Sequence, residues 1–302
     1  MGTIASEVLF DRPDMLKETT SQALNRFNSD PRHYQLLFLL LFLITGLFWL
    51  DWHLQPLQIP FTFLTAILTQ WLAIRAFNIP LNSLKSAIIT SFSLCLLFRS
   101  DSLHVIVLAA FLSIAFKFVF RIQNRHFINP ANAGICCTIL LTGDGWISPG
   151  QWGSGQIWLL LIGILGWIIV SKAARIGLAA GFLAGYIGGL FVRMILWQDW
   201  PLDALTHVFT SGSLLLFSFF MITDPASTPI RKEMRILWSI LVGLLAFYLQ
   251  AFHWVNGAPI WALFMLSPLI PIMNNGKEIL HRLKGISLCT FLPLTNRFQK
   301  QP

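Results

Sequence analysis

The chain has 302 residues, of which 55% are hydrophobic and only 11% charged, with a mean hydropathy of +0.67; this excludes an ordinary soluble domain and a long disordered chain. Its net charge of +8 comes from bases spread one or two per loop, which excludes a nucleic-acid patch and follows the positive-inside pattern of membrane proteins. The four cysteines, Cys95, Cys136, Cys137 and Cys289, sit in or beside apolar stretches without metal-ligand or disulfide spacing and read as small buried hydrophobes.

In chain order, residues 1–33 hold five acids and four bases and lack the basic start and small-residue cleavage site of a signal peptide. They are expected to be a cytoplasmic tail, with Leu16, Thr20, Ala23, Leu24 and Phe27 on one face of a short interfacial helix. A membrane domain over 34–275 follows, with an all-α, polytopic architecture of about ten transmembrane helices. The spans fall near 35–51, 58–74, 84–99, 103–119, 130–142, 155–171, 177–196, 205–222, 234–252 and 258–273. No carboxylate lies inside any of them, Asp51 standing at the very end of the first. A basic tail, 276–302, completes the chain.

With both termini in the cytoplasm, nine bases (Arg75, Lys85, Arg121, Arg125, Lys172, Arg175, Arg231, Lys232 and Arg235) lie in or beside cytoplasmic loops, against two, Arg99 and Arg193, outside. Lys117, in the last turn of the fourth span, is expected to snorkel to the cytoplasmic surface without a buried partner. His53, His104, His207 and His253 fall near outer span ends; no two have ligand spacing, and no metal site is expected.

Two polar breaks lie on the cytoplasmic side. In the first, Arg125 to Gly134, Asn129 can cap a helix with Pro130 at its first position, and Asn132 adds a second amide to the first turn. A helix start beside Arg125 can receive an anion or carbonyl, although a capped helix start explains the same residues. In the second, Phe219 to Pro229, Asp224 ends a span against Pro225 and Thr228 can cap the next helix ahead of Pro229. Upstream, Thr210-Ser211-Gly212-Ser213 admits close packing or a planar ligand. On the outer side, the loop from Thr142 to Gly155 combines turn formers with Trp146 and Trp152, and fits a lid, an interface anchor or a binding loop.

The segment Phe127-Ile128-Asn129-Pro130-Ala131-Asn132-Ala133-Gly134 resembles the FNPA-type segment of the NqrB and RnfD membrane subunits. Ser211-Gly212-Ser213-Leu214-Leu215-Leu216-Phe217 running into Phe220-Met221-Ile222-Thr223-Asp224-Pro225 resembles their GGxLLFxxFMxTDP segment. The likeness covers roughly 85–273, and the outer loop looks like a shorter RnfD-like branch that includes UnbU-type proteins. The resemblance implies ten spans with both tails in the cytoplasm and a flavin-carrying subunit of a bacterial inner-membrane redox complex.

That family attaches FMN to a threonine in a Ser-Gly-Ala-Thr type motif, which does not occur here, so covalent FMN is not expected. The resulting expectation is electron transport with membrane or redox partner subunits through noncovalent FMN, riboflavin or a quinone. Arg125, Asn129, Asn132, Thr223, Asp224 and Thr228 would line the cofactor site, the asparagine amides bonding the ring and Arg125 favouring a phosphate. No residue is assigned a catalytic role. The chain has no iron–sulfur cysteine motif or soluble dehydrogenase domain, so it would be at most a non-autonomous subunit of an oxidoreductase. A transporter or channel for a small neutral, flavin-like solute and a noncatalytic scaffold are the alternatives.

Overall fold

Long apolar stretches bounded by Pro, Gly and Asn form the helices of this computed structural model, which describes residues 31–50, 52, 54–122, 125–148, 163–168, 170–171, 174–209 and 212–274. In chain order the helices are α1 Pro31–Phe48, α2 Gln58–Phe77, α3 Leu84–Leu97, α4 Leu103–Val119, α5 Pro130–Thr142, α6 Ile176–Phe191, α7 Leu202–Phe209, α8 Gly212–Leu216, α9 Lys232–His253 and α10 Ala258–Leu266. Residues 163–168 and 170–171 are also helical. Among the described residues, three stretches, Gln58–Phe77, Ile176–Trp197 and Lys232–His253, are long and apolar enough to cross a membrane. Only 28% of the first and third and 39% of the second is buried within the chain, so most of their apolar surface faces outward and needs an apolar solvent. The expected tail helix over Leu16 to Phe27, residues 155–162 of the sixth span, the loop from Pro149 to Gly155, His53, Cys289 and the tail 276–302 lie outside the described residues.

Helices α4 and α5 keep the expected bounds, whereas α1 begins at Pro31, ahead of the expected domain boundary. The last expected span, 258–273, is interrupted by a turn at Ser267-Pro268 between α10 and helical residues 269–274. Two short antiparallel pairings depart from the all-α expectation. One joins β1 Phe98–Arg99 to β4 Trp146–Ile147. The other joins β2 Arg121–Ile122 to β3 Arg125–His126, with Arg121 opposite His126.

The most extensive packing is α6 against α9, followed by α4 against α5. Both need glycine at the contact. A Cβ on Gly134 of α5 would lie 2.7 Å from the Ala109 carbonyl oxygen of α4. Around the α6/α9 contact, Phe182 packs against Phe217 with ring centres 4.8 Å apart, and the indole N–H of buried Trp238 donates to the Leu266 carbonyl at 3.1 Å.

Lys117 corrects the snorkelling expectation. Its ammonium donates to Gln70 Oε1 and to Ser86 Oγ, each at 3.0 Å, and Gln70 in turn donates to Ser83 Oγ at 3.1 Å. Gln70 is fully buried, so the lysine turns inward to polar partners on α2 and α3. At the opposite end of α3, Arg99 is buried and donates to the carbonyls of Cys95 and Phe98, a cation placed on a helix C-terminus.

Candidate functional site

The two polar breaks, about a hundred residues apart in sequence, meet in space. Asn129 is extended (φ −63°, ψ 124°) and caps α5: its Oδ1 accepts from Asn132 N–H at 3.2 Å, with Pro130 at the first helical position. Its Nδ2 donates to the Met221 carbonyl at 3.3 Å, fixing the start of α5 to the second break. The β2–β3 pairing adds two more ties. Arg125 Nη2 donates to the Pro225 carbonyl at 2.6 Å, and His126 Nε2 lies 3.5 Å from Asp224 Oδ2. Within the second break, Asp224 accepts from the Ala226 N–H at 3.2 Å and from the Ser227 hydroxyl at 2.8 Å.

Beside this junction is a cavity of about 490 Å³ bordered by α1, α3, the start of α5 and residues 219–226. Asn129, Thr223 and Asp224 line it, together with residues that the sequence reading did not assign there: Arg32, Ser86, His126 and Arg175, with Phe219 and Phe220 supplying rings. Thr223 Oγ1 donates its proton to the Phe219 carbonyl at 2.5 Å, and Asn129 gives one of its two amide N–H groups to the Met221 carbonyl.

Two of the expected site residues lie elsewhere. Asn132 is fully buried and turned toward α10, where Nδ2 donates to the Ile260 carbonyl at 2.7 Å while Oδ1 has no hydrogen-bond partner. Thr228 does not cap the next helix, since α9 starts at Lys232 with Arg231 as its N-terminal flanking residue. Thr228 is buried and instead accepts from Arg175 Nη1 at 2.7 Å. Arg125 does not line the cavity either; it donates to the carbonyl of Pro225, which does.

Charge at this end is predominantly positive. Burial lowers the Arg175 guanidinium pKa, nearby Arg235 and Arg125 lower it further, and Asp224 alone opposes them. The buried Nε of Arg235 has no hydrogen-bond partner. At Asp224 burial favours the neutral acid, yet the hydrogen bond and charge of His126, the Ser227 hydroxyl and the Ala226 N–H together hold its pKa below the ordinary value.

A folded pKa below the unfolded one gives stability that is present above the unfolded value, about 3.9, and is lost as pH falls through the folded value. Acidification below about pH 4 is therefore expected to lower the thermal midpoint of the native protein more steeply than that of Asp224→Asn. Parallel acid profiles for the two would show that Asp224 is not the group responsible.

Among the described residues, no three His, Cys, Asp or Glu side chains gather as a metal site. Cys95 and Cys136 are buried and Cys137 is half-buried, all three as free thiols.

Comparison with known proteins finds a likeness for the second of the two breaks. The family described as NQR2, RnfD, RnfE matches residues 138–278, a narrower range than the expected 85–273; it takes in the Asp224 break and begins downstream of Asn129. The chain is 30% identical over 127 residues to the D-type subunit of the ion-translocating oxidoreductase complex of Stutzerimonas stutzeri, covering 40% of this chain and 31% of the relative. It is 31% identical over 134 residues to the protein of the same name from Alcanivorax borkumensis, covering 42% and 38%. For that of Escherichia fergusonii the figures are 26% over 137 residues, covering 45% and 36%. The matched stretch spans about a third of the length of these curated relatives. Through residues 138–278, under half of its length, the chain is similar to the NQR2, RnfD, RnfE family.

Proposed function

We propose that this protein is a membrane-embedded subunit of an electron-transport complex and that it holds a noncovalent flavin, or a quinone, in the cavity between Asn129 and Asp224. The observation that carries this reading is the make-up of the cavity. Its volume of about 490 Å³ suits a cofactor-sized ligand, the Phe219 and Phe220 rings offer a planar partner, and Arg32 and Arg175 outnumber the single carboxylate of Asp224. The names of the curated relatives, each a subunit of an ion-translocating oxidoreductase complex, support the same reading. Ten spans, both termini in the cytoplasm, a bacterial inner-membrane location and obligatory partner subunits belong to this proposal.

A flavin or quinone, when bound, supplies the electron-carrying chemistry that amino-acid side chains lack. The protein's residues would bind and orient it. Arg175 and Arg32 attract a phosphate or an electron-rich carbonyl, and Phe219 and Phe220 hold a ring while limiting water. Asn129, Asp224 and Thr228 act on the ligand only through the walls they hold in place.

The test is the absorption spectrum of protein purified in mild detergent, followed by acid precipitation. Flavin released into the supernatant, or a quinone recovered from the pellet by organic-solvent extraction, is expected, and Arg175→Gln should weaken rebinding of FMN about tenfold. A colourless preparation that takes up neither FMN, riboflavin nor a quinone sinks the reading. Flavin that stays with the precipitate overturns the noncovalent assignment.

A further inference from the structure

We propose that the groove between α6 and α9, at their Arg193 and Phe252 ends, binds one anionic phospholipid. It lies away from the Asn129 cavity and does not depend on how that cavity is used. Helix α6 and the π turn that continues it, Val192–Trp197, present Gly185, Gly188 and Gly189 toward Leu244 and Phe247 of α9. The result is an apolar groove of about 730 Å³. A Cβ at Gly188 would meet nothing within 4 Å, so the space at that position is left open by the surrounding packing.

Depth and charge select the occupant. From Ala184 to Arg193 the helix rises about 14 Å, close to one leaflet of a hydrocarbon core about 30 Å thick. At the mouth are Arg193, Gln198 and Trp197, the last 81% exposed as in an interfacial belt. Arg193 is the groove's one charged lining residue, and its guanidinium is held 4.3 Å over the Phe252 ring while donating to the Ala251 carbonyl. That contact uses one of five N–H donors, leaving others to receive a headgroup phosphate above an acyl chain in the slot. An apolar slot of leaflet depth ending in a single fixed cation matches an anionic lipid better than a partner helix, whose apolar face would gain nothing from the charge.

The experiment is native mass spectrometry of the purified full chain titrated with phosphatidylglycerol or with phosphatidylcholine of the same acyl chains. The native protein is expected to retain one phosphatidylglycerol in preference to phosphatidylcholine. Arg193→Gln should reduce that preference about fivefold, Arg193→Lys should keep most of it, and Gly188→Leu should abolish retention of both lipids. Equal retention of the two lipids by the native protein, unchanged by Gly188→Leu, means annular lipid only and overturns the proposal. So does a co-purifying protein released by Gly188→Leu while phosphatidylglycerol stays bound. If Gly188→Leu does not yield monodisperse protein, the Arg193 pair decides: equal preference in Gln and Lys variants refutes the site.

Discussion

Gly243→Ala is expected to leave little folded protein. The added methyl would lie inside the van der Waals limit of the Phe182 carbonyl oxygen and 2.7 Å from the Tyr186 nitrogen, both backbone atoms of α6. A Cβ at Gly185 on the facing helix would in turn meet the Ile240 carbonyl oxygen at 2.5 Å, so neither helix can retreat without opening the contact. That contact buries Trp238, Val242 and Ala246 completely, and overpacking it should cost about 3 kcal/mol, a large share of the stability of most proteins. Monodisperse yield and thermal midpoint in detergent measure the effect. Gly177→Ala, whose methyl would only touch Ile236 Cγ1 at 3.4 Å, should stay within about 0.5 kcal/mol of the native protein. A Gly243→Ala protein as stable as Gly177→Ala would refute this account of the helix pair.

Asn129→Ala should have the next largest effect, because one side chain makes two bonds. Losing the cap to Asn132 N–H costs about 1 kcal/mol, and losing the donor to the Met221 carbonyl about another 1 kcal/mol, so the midpoint should fall by the equivalent of about 2 kcal/mol. Asn129→Asp keeps the capping acceptor and removes the donor, and should lose about half as much. Equal losses in the two variants would mean that the cap to Asn132 N–H contributes nothing, and an Asn129→Asp protein as stable as the native one would mean that the tie to Met221 contributes nothing.

Much of this arrangement could be read along the chain, because hydrophobic runs and capping residues are local signals. The bounds of α4 and α5 follow from them, and so does the Asn129-Pro130 helix start. What failed were readings that depend on which helix lies opposite. Asn132 is one turn from Asn129, but it faces α10 rather than the cavity, and nothing near it in sequence records that neighbour. Lys117 looked like a snorkelling residue because Gln70 and Ser86, which receive it, lie in other spans. Thr228-Pro229 had the form of a cap and first helical residue, yet the chain runs on without helix to Lys232 and Thr228 serves Arg175 instead. Arg175 itself had a local signal as a base at a cytoplasmic boundary, which the positive-inside pattern accounted for without a site.

The π turn at Phe217–Met221 makes this end of the molecule sensitive to length as well as to identity. A π turn takes up one more residue than an α turn, so it acts as a phase shift within a continuous helix. Thr223 and Asp224 emerge just after it, and the direction of the Asp224 carboxylate toward His126 depends on that extra residue. Were the same residues to close with α spacing instead, the downstream chain would swing by about 100°. The distant partners of Asp224 and Thr228, His126 and Arg175, would still be encoded, and neither would be met. In this segment the count of residues is itself part of the information that builds the cavity.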